Sequence, residues 1–242
     1  MDIDKLQYLP LAPHPFSALA LAWLVLVVWM WVRAFRLAST RIGLNSLTAS
    51  MLLLASLAGS YLNIPVARLP GRQIVSGEII YFYGMAYAVP AVTHWPGTVI
   101  AVNVGGAVIP VLLSLYLVVR HRLWVTSLIA IAIVAAICHW LAQPVPGLGI
   151  ALPVFVPPLT AAAVALPLSW RQAAALAYIG GSVGCLLGAD ILNLDKVAGL
   201  GAPVASIGGA GTFDGIFVTG MLAVLLASIF SPPERSRGRF GS

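Results

Sequence analysis

The sequence predicts an all-α polytopic membrane protein of about seven transmembrane helices, and three observations predict it. Residues 15–32, 42–67, 79–119, 123–170, 172–189 and 215–233 contain no Lys, Arg, Asp or Glu. A helix needs about 20 apolar residues to cross a bilayer, so most of these runs are long enough. The chain of 242 residues is 60% hydrophobic and 8% charged, too little charge to hydrate the surface of a soluble domain of this size. Proline and glycine clusters punctuate the apolar runs, as a multi-helix chain requires.

The first helix is expected over about Phe16–Phe35. It follows Asp2 and Asp4, with no basic leader before it and no small-residue cleavage site after it, so it reads as a retained span. Trp23, Trp29 and Trp31 are interface anchors, and Arg33, Arg36 and Arg41 follow. The second helix is expected from Leu44 to Leu62, with Ala55, Ala58, Gly59 and Ser60 for close packing in lipid. Asn63-Ile64-Pro65 should stop it, because proline cannot continue the hydrogen-bond ladder.

Residues 66–102 interrupt the helical pattern. GEIIYFYGMAYAV and GTVIAV are rich in β-branched and aromatic residues, and His94-Trp95-Pro96-Gly97 is a turn signal between them. A β-hairpin outside the bilayer is expected. The competing reading is a short helix at 78–92, an eighth span, which Gly84 and Pro90 weaken.

Helices follow from Asn103-Val104-Gly105-Gly106 to about Val119 and from Trp124 to Ala142. Residues 150–168 carry Pro153, Pro157, Pro158 and Pro167, which predicts a broken or kinked helix. The sixth helix spans Trp170 to about Leu192 with glycines at 180, 181, 184 and 188, and the last spans Phe213–Phe230. Residues 1–233 read as one integral membrane domain and 234–242 as a basic disordered tail.

With seven spans, nine Lys and Arg residues fall on one side of the membrane and four on the other, which places the C-terminus in the cytoplasm. The eight-span alternative gives the same split and flips only the N-terminal half. Both leave the connection Gly188–Gly215 facing outward, so the expected location is a prokaryotic inner membrane with this hairpin outside. Its lipid bilayer is the one partner the sequence implies. The net charge of +6 is not clustered on one face, which excludes nucleic-acid binding as the reason for it. Cys138 and Cys185 lie in apolar runs and read as buried free thiols. No Cys or His spacing suits a metal, and no cofactor or oligomeric state is legible.

Gly188–Gly215 holds three of the seven acidic residues, Asp190, Asp195 and Asp214. Asp190 sits near a helix C-terminus, where a negative charge opposes the dipole, so it calls for a functional reason. Asp214 opens the last helix after Thr212 and reads either as a second functional carboxylate or as a dipole-matched cap. Asp195 beside Lys196 reads as a solvated pair. Asn63, Asn103 and Asn193 are placed at the same face as candidate ligands for a substrate or ion. Ser206, Gly208, Gly209, Gly211 and Thr212 form either a flexible turn or a cradle of backbone N–H groups for an anion. His139 and Gln143 lie near the same membrane face, His139 reading more simply as a packed interfacial residue, and Glu78 as a solvated loop residue.

The run GADILNLDKVAGLGAPVASIGGAGTFDGIF resembles the signature end of an uncharacterised prokaryotic membrane family, domain of unknown function 1614. Asn63-Ile64-Pro65, Asn103-Val104-Gly105-Gly106 and PVPGLGIALPVFVPPL are similar to its other motifs. The resemblance implies a bacterial or archaeal multi-pass protein and no activity. Gly188-Ala189-Asp190, Phe213-Asp214 and Pro157-Pro158-Leu159 loosely resemble parts of intramembrane aspartyl proteases, but in another order and without the second glycine before the aspartate. Two readings result: an aspartate-dependent membrane enzyme in which Asp190 and Asp214 share a proton and activate water on a membrane peptide, or an ion-coupled carrier of a small solute. An envelope scaffold is a third.

Overall fold

A computed structural model describes residues 13–70, 79–82, 85–88, 97–145, 149–197, 203–209 and 215–231. The chain begins with α1 (Pro13–Arg41) and α2 (Ser46–Gly59). Asn45 caps α2 by accepting the Thr48 N–H at 2.7 Å, a group that the first helical turn leaves unpaired. The helix ends at Gly59, earlier than expected, and Asn63 opens a strand instead of terminating a helix.

That strand, β1 (Asn63–Pro70), runs antiparallel to β4 (Gly97–Asn103), with Asn63 opposite Asn103. Between them β2 (Ile79–Phe82) and β3 (Met85–Ala88) pair as a separate ribbon. Strands within 78–92 decide against the competing helix there. The hairpin expectation is right in type and wrong in pairing, because GTVIAV joins β1 and not the preceding aromatic segment. The β1 prolines are compatible with the sheet because β1 is an edge strand.

After β4 a widened turn with i→i+5 bonding (Val104–Val108) leads into α3 (Ile109–His121). A tight link with Arg122 in the left-handed region (φ 54°) starts α4 (Trp124–Leu141). The short pair β5 (Gln143–Val145) and β6 (Gly149–Ala151) precedes α5 (Val156–Leu168). The expected break is absent from α5. Pro157 and Pro158 fall in its first turn, where no N–H is needed, and Pro167 in its last.

The next helical stretch is the irregular one. α6 (Ala173–Ile179) continues through widened turns at Gly180–Gly184 and Leu186–Asp190, a 3₁₀ turn at Ile191–Asn193, and α7 (Leu194–Val197). Then β7 (Val204–Ile207) pairs in parallel with β4, giving the order β1-β4-β7. This third strand was not expected; its last two residues, Ser206 and Ile207, read in the sequence as the start of a glycine-rich turn. The last element is α8 (Gly215–Phe230).

Among the described residues, four helical stretches are long and apolar enough to cross a membrane: Ser17–Arg41, Val104–His121, Trp124–Leu141 and Ala173–Val197. Ser46–Gly59, Val156–Leu168 and Gly215–Phe230 are apolar but shorter. At 1.5 Å per residue the 14-residue α2 covers about 21 Å, less than a hydrocarbon core of about 30 Å. The core is built largely from small residues, including Ala161, Ala165, Ala173, Ala174, Ala175, Ala177, Ala223 and Ala227, all buried. Dispersion between closely approaching backbones is what holds helices together in lipid. The largest buried side chains, Tyr178 and Phe217, meet edge to face at 6.4 Å.

The two ends of the bundle differ chemically. At one, Arg41 donates to the Ser231 carbonyl at the end of α8, and Arg120 donates to the Gly43 carbonyl between α1 and α2. The three-stranded sheet, the end of the α6 stretch and the start of α8 gather at the other.

Candidate functional site

The site grows from the point where β4 turns into α3. Asn103 ends β4 with an extended backbone and caps the widened turn, its Oδ1 accepting the Gly106 N–H at 2.8 Å. Its Nδ2 donates to the Ser60 carbonyl at 2.8 Å and to Asn63 Oδ1 at 3.1 Å. The residue is 2% exposed, and its two Nδ2 bonds join segments distant in sequence. Asn63 Oδ1 also accepts from Ser206 Oγ at 2.5 Å, so one oxygen ties β1 to β4 and β7.

Below this layer the small residues of α2 make contact. A Cβ at Gly105 would lie 2.1 Å from the Ser56 carbonyl oxygen, and one at Gly59 would lie 2.9 Å from Gly105 N. Ser56 Oγ donates to the Gly105 carbonyl at 3.0 Å, and Ser60 Oγ to the Ser56 carbonyl at 2.8 Å. Ser56 and Ser60 therefore support the turn that Asn103 caps.

Asp190 reaches the same place from the other side. It ends the second widened turn, half-buried, and its Oδ2 accepts the Gly208 N–H at 2.6 Å. Gly208 has φ 82°, and a Cβ there would be 2.6 Å from Ala107 N, so this position requires glycine. In a parallel ladder the backbone groups alternate between edges. The Val99 N–H bonds the Pro203 carbonyl, which directs the N–H groups of Ser206 and Gly208 away from β4. Asp190 thus lies on the outer edge of β7. Within the glycine-rich run, the Gly208 N–H is given to the chain's own Asp190 carboxylate. The N–H of Gly209 is turned back onto the Ser206 carbonyl at 3.1 Å.

Asn193, 0% exposed, holds the helix end that carries Asp190. Its Nδ2 donates to the carbonyls of Gly188 and Ala189 at 2.8 and 3.0 Å, groups that the change of helical pitch leaves short of partners. Lys196 Nζ donates to Asn193 Oδ1 at 2.8 Å, and Asp195 is exposed.

The structure therefore brings together Asn63, Asn103, Asp190, Ser206 and Gly208, with Gly209 and Asn193 as their backbone supports. Gly211, Thr212, Asp214 and Glu78 lie outside the described residues. The helix that Asp214 precedes is nevertheless placed. Ile216 packs with Leu186 and Ala107, so α8 begins beside the stretch that ends in Asp190. His139 lies on α4, its Nδ1 without a partner among the described residues, and Gln143 is exposed at the start of β5 opposite Ala151. Among the described residues no three His, Cys, Asp or Glu side chains gather as a metal site. Sequence reasoning missed Ser56 as a support for the site. Its signal was the Ser56–Ser60 spacing of one helical turn at the end of α2.

The arrangement offers a carboxylate with one oxygen fixed by a backbone N–H at the outer edge of β7, in a sheet whose strands are tied together by Asn63, Asn103 and Ser206. Such a group can exchange a proton with a bound partner or hold a cation. The family model described as "Protein of unknown function (DUF1614)" matches residues 57–226, more than half the chain. The chain belongs to that family. No curated protein and no solved structure matches it.

Proposed function

We propose that this member of the DUF1614 family is a multi-pass membrane enzyme that uses Asp190 and Asp214 as an acid–base pair on a membrane-embedded peptide. The observation that carries the reading is the adjacency of two helix ends. The stretch ending in Asp190 and the helix that follows Asp214 pack together through Leu186 and Ile216. Two carboxylates on adjoining helix ends share a proton, because both cannot ionise easily at short range. One then takes a proton from water while the other polarises the carbonyl under attack. Asn63, Asn103 and Ser206 supply the polar wall, and Gly208 fixes the Asp190 carboxylate.

The reading includes a prokaryotic inner membrane, a cytoplasmic C-terminus and an outward site. The arginine-bonded end around Arg41 and Arg120 lies opposite the site, as the excess of Lys and Arg on cytoplasmic loops requires. A single cysteine at position 199, in a chain freed of its own thiols, is expected to react with an impermeant maleimide from outside intact cells, and one at position 121 only after lysis. The reverse pattern refutes the orientation.

An ion-coupled carrier is the second reading, and the interrupted helix at Asp190 favours it, since broken helices bearing carboxylates line transport sites. One pair of variants separates the two. Asp190→Asn and Asp214→Asn are each expected to lower cleavage of a membrane-peptide library in liposomes by about 10²-fold or more while the protein stays folded. Unchanged cleavage in either variant sinks the enzyme. Proton- or sodium-dependent solute uptake that Asp190→Asn removes and Asp214→Asn spares identifies the carrier.

A further inference from the structure

The sheet β1-β4-β7 has two edges, and the sequence treats them differently. At β1 the Val104 N–H bonds the Leu62 carbonyl, so Leu62 and Ile64 turn toward β4 while Asn63 and Pro65 turn outward. Pro65 has no N–H to offer, the register shifts between Pro65 and Ala67, and Pro70 ends the strand. Prolines and bulges of this kind keep an edge from pairing with another chain. β7 carries no such block. The Pro203 carbonyl bonds β4, so the N–H and carbonyl of Val204 and the N–H of Ser206 point to the outer edge. These three groups have no partner among the described residues, and Val204 is 47% exposed. The next outward donor is the Gly208 N–H, which Asp190 Oδ2 accepts at 2.6 Å. The carboxylate therefore stands where a carbonyl of a further strand would pair. Outward groups recur at every second residue, about 7 Å along the strand.

We propose that the outer edge of β7 receives an extended segment of a membrane peptide as a fourth strand, paired with Val204 and Ser206 and ending against Asp190. What the edge can bond selects the occupant. Its alternating backbone N–H and carbonyl groups match another extended backbone, and lipid tails offer them nothing. That the peptide is a substrate rests on the enzyme reading above, whereas the docking does not. The two faces of β7 select the side chains. Ile207 lies on the face that packs against Ala107, Leu186 and Ile216, and Ser206 on the face that holds Asn63. A segment that alternates apolar with small polar residues suits both faces. Once paired at Val204 and Ser206, it brings its next peptide group to the Asp190 carboxylate.

The test uses the full chain in nanodiscs of phosphatidylethanolamine and phosphatidylglycerol, with a fluorescein-labelled Val-Ser-Val-Ser-Val peptide followed by anisotropy. Two further peptides are N-methylated, one at the valine and one at the serine amides. A strand pairs through alternate amides only, so one methylated peptide is expected to lose about tenfold or more in affinity and the other to stay within about threefold. Equal affinities for all three peptides, or no binding by the unmethylated one, overturn the proposal. Val204→Pro removes an outward N–H that the sheet does not use. It is expected to weaken binding about tenfold with an unchanged melting temperature, and wild-type affinity in that variant counts against the edge. The methylation pattern decides if the variant fails to fold. Hydrogen exchange at residue resolution supplies an independent readout. The Val204 and Ser206 amides are expected to exchange fast alone and slowly with peptide, and slow exchange before peptide is added means an edge already covered, which overturns the proposal. Binding without cleavage leaves the fourth strand standing and removes the enzyme. Asp190-dependent cleavage that neither methylation pattern affects does the reverse.

Discussion

Alanine at Gly188 is expected to lower the melting temperature of the detergent-solubilised protein by about 6–12 °C, while alanine at Gly180 leaves it within about 2 °C. The two glycines lie in one helical stretch, and helix propensity alone would favour alanine at both. Their surroundings differ. The added Cβ at Gly188 would sit 2.3 Å from the Ala135 oxygen and 2.8 Å from its Cα, and backbone cannot rotate aside as a side chain does. At Gly180 the nearest atoms, on Val134, Ala130 and Ala161, are at 3.5–3.7 Å, ordinary contact distance. Overpacking a tight interface costs about 1–3 kcal/mol, and contact with backbone belongs at the upper end. In a chain of this size each kcal/mol shifts the midpoint by about 2–4 °C. Circular dichroism during heating measures both variants. Equal midpoints would refute the backbone contact between α4 and the α6 stretch, and with it the frame that holds Asp190.

The helices were legible because lipid solvation leaves a one-dimensional signature, an uncharged run of sufficient length. Helix ends were less so. Asn63-Ile64-Pro65 reads as a helix stop, and the proline does exclude helix, but the conformation beyond the stop is decided by a distant segment. Those residues extend because β4 lies beside them. The same holds for β7, four residues between glycine-rich segments whose strand conformation depends on a parallel partner about a hundred positions earlier in the chain. Strand composition is local information, whereas pairing is not, so GTVIAV was recognisable as a strand but its neighbour was not.

The polar site was more legible than the sheet that builds it. In so apolar a chain, each asparagine or aspartate near a helix end needs a partner, and rarity alone singled out Asn63, Asn103, Asn193 and Asp190. The sequence could not show what each would bond. Asn103 and Asn193, expected as ligands, spend the hydrogen bonds described for them on the chain itself, the first on a turn and the second on a helix end. Asp190 differs, because Gly208 is its one donor among the described residues and engages a single oxygen. A carboxylate held at one oxygen is positioned yet still has capacity to act, which is why the functional reading rests on it.

Leucine at position 103 is expected to cost about 2–6 kcal/mol and to leave little folded protein after detergent extraction. It keeps the approximate size of asparagine and removes three hydrogen bonds. The Gly106 N–H and the Ser60 carbonyl are then buried without partners, each at about 1–3 kcal/mol, and Asn63 loses its link to β4. Ser206→Ala removes one bond, from a half-buried hydroxyl to Asn63, and should cost about 1 kcal/mol. Asn103→Asp separates shape from chemistry. The introduced carboxylate still accepts from Gly106 but has no N–H for Ser60, and it turns negative oxygen toward two acceptors. Protonation at low pH restores a donor, so this variant should gain stability relative to wild type as the pH falls. Size-exclusion profiles of the solubilised protein across pH measure all three variants. A folded Asn103→Leu protein with wild-type stability would mean that Asn103 does not join the sheet to the bundle, and the convergence of β1, β4 and β7 on Asp190 would lose its anchor.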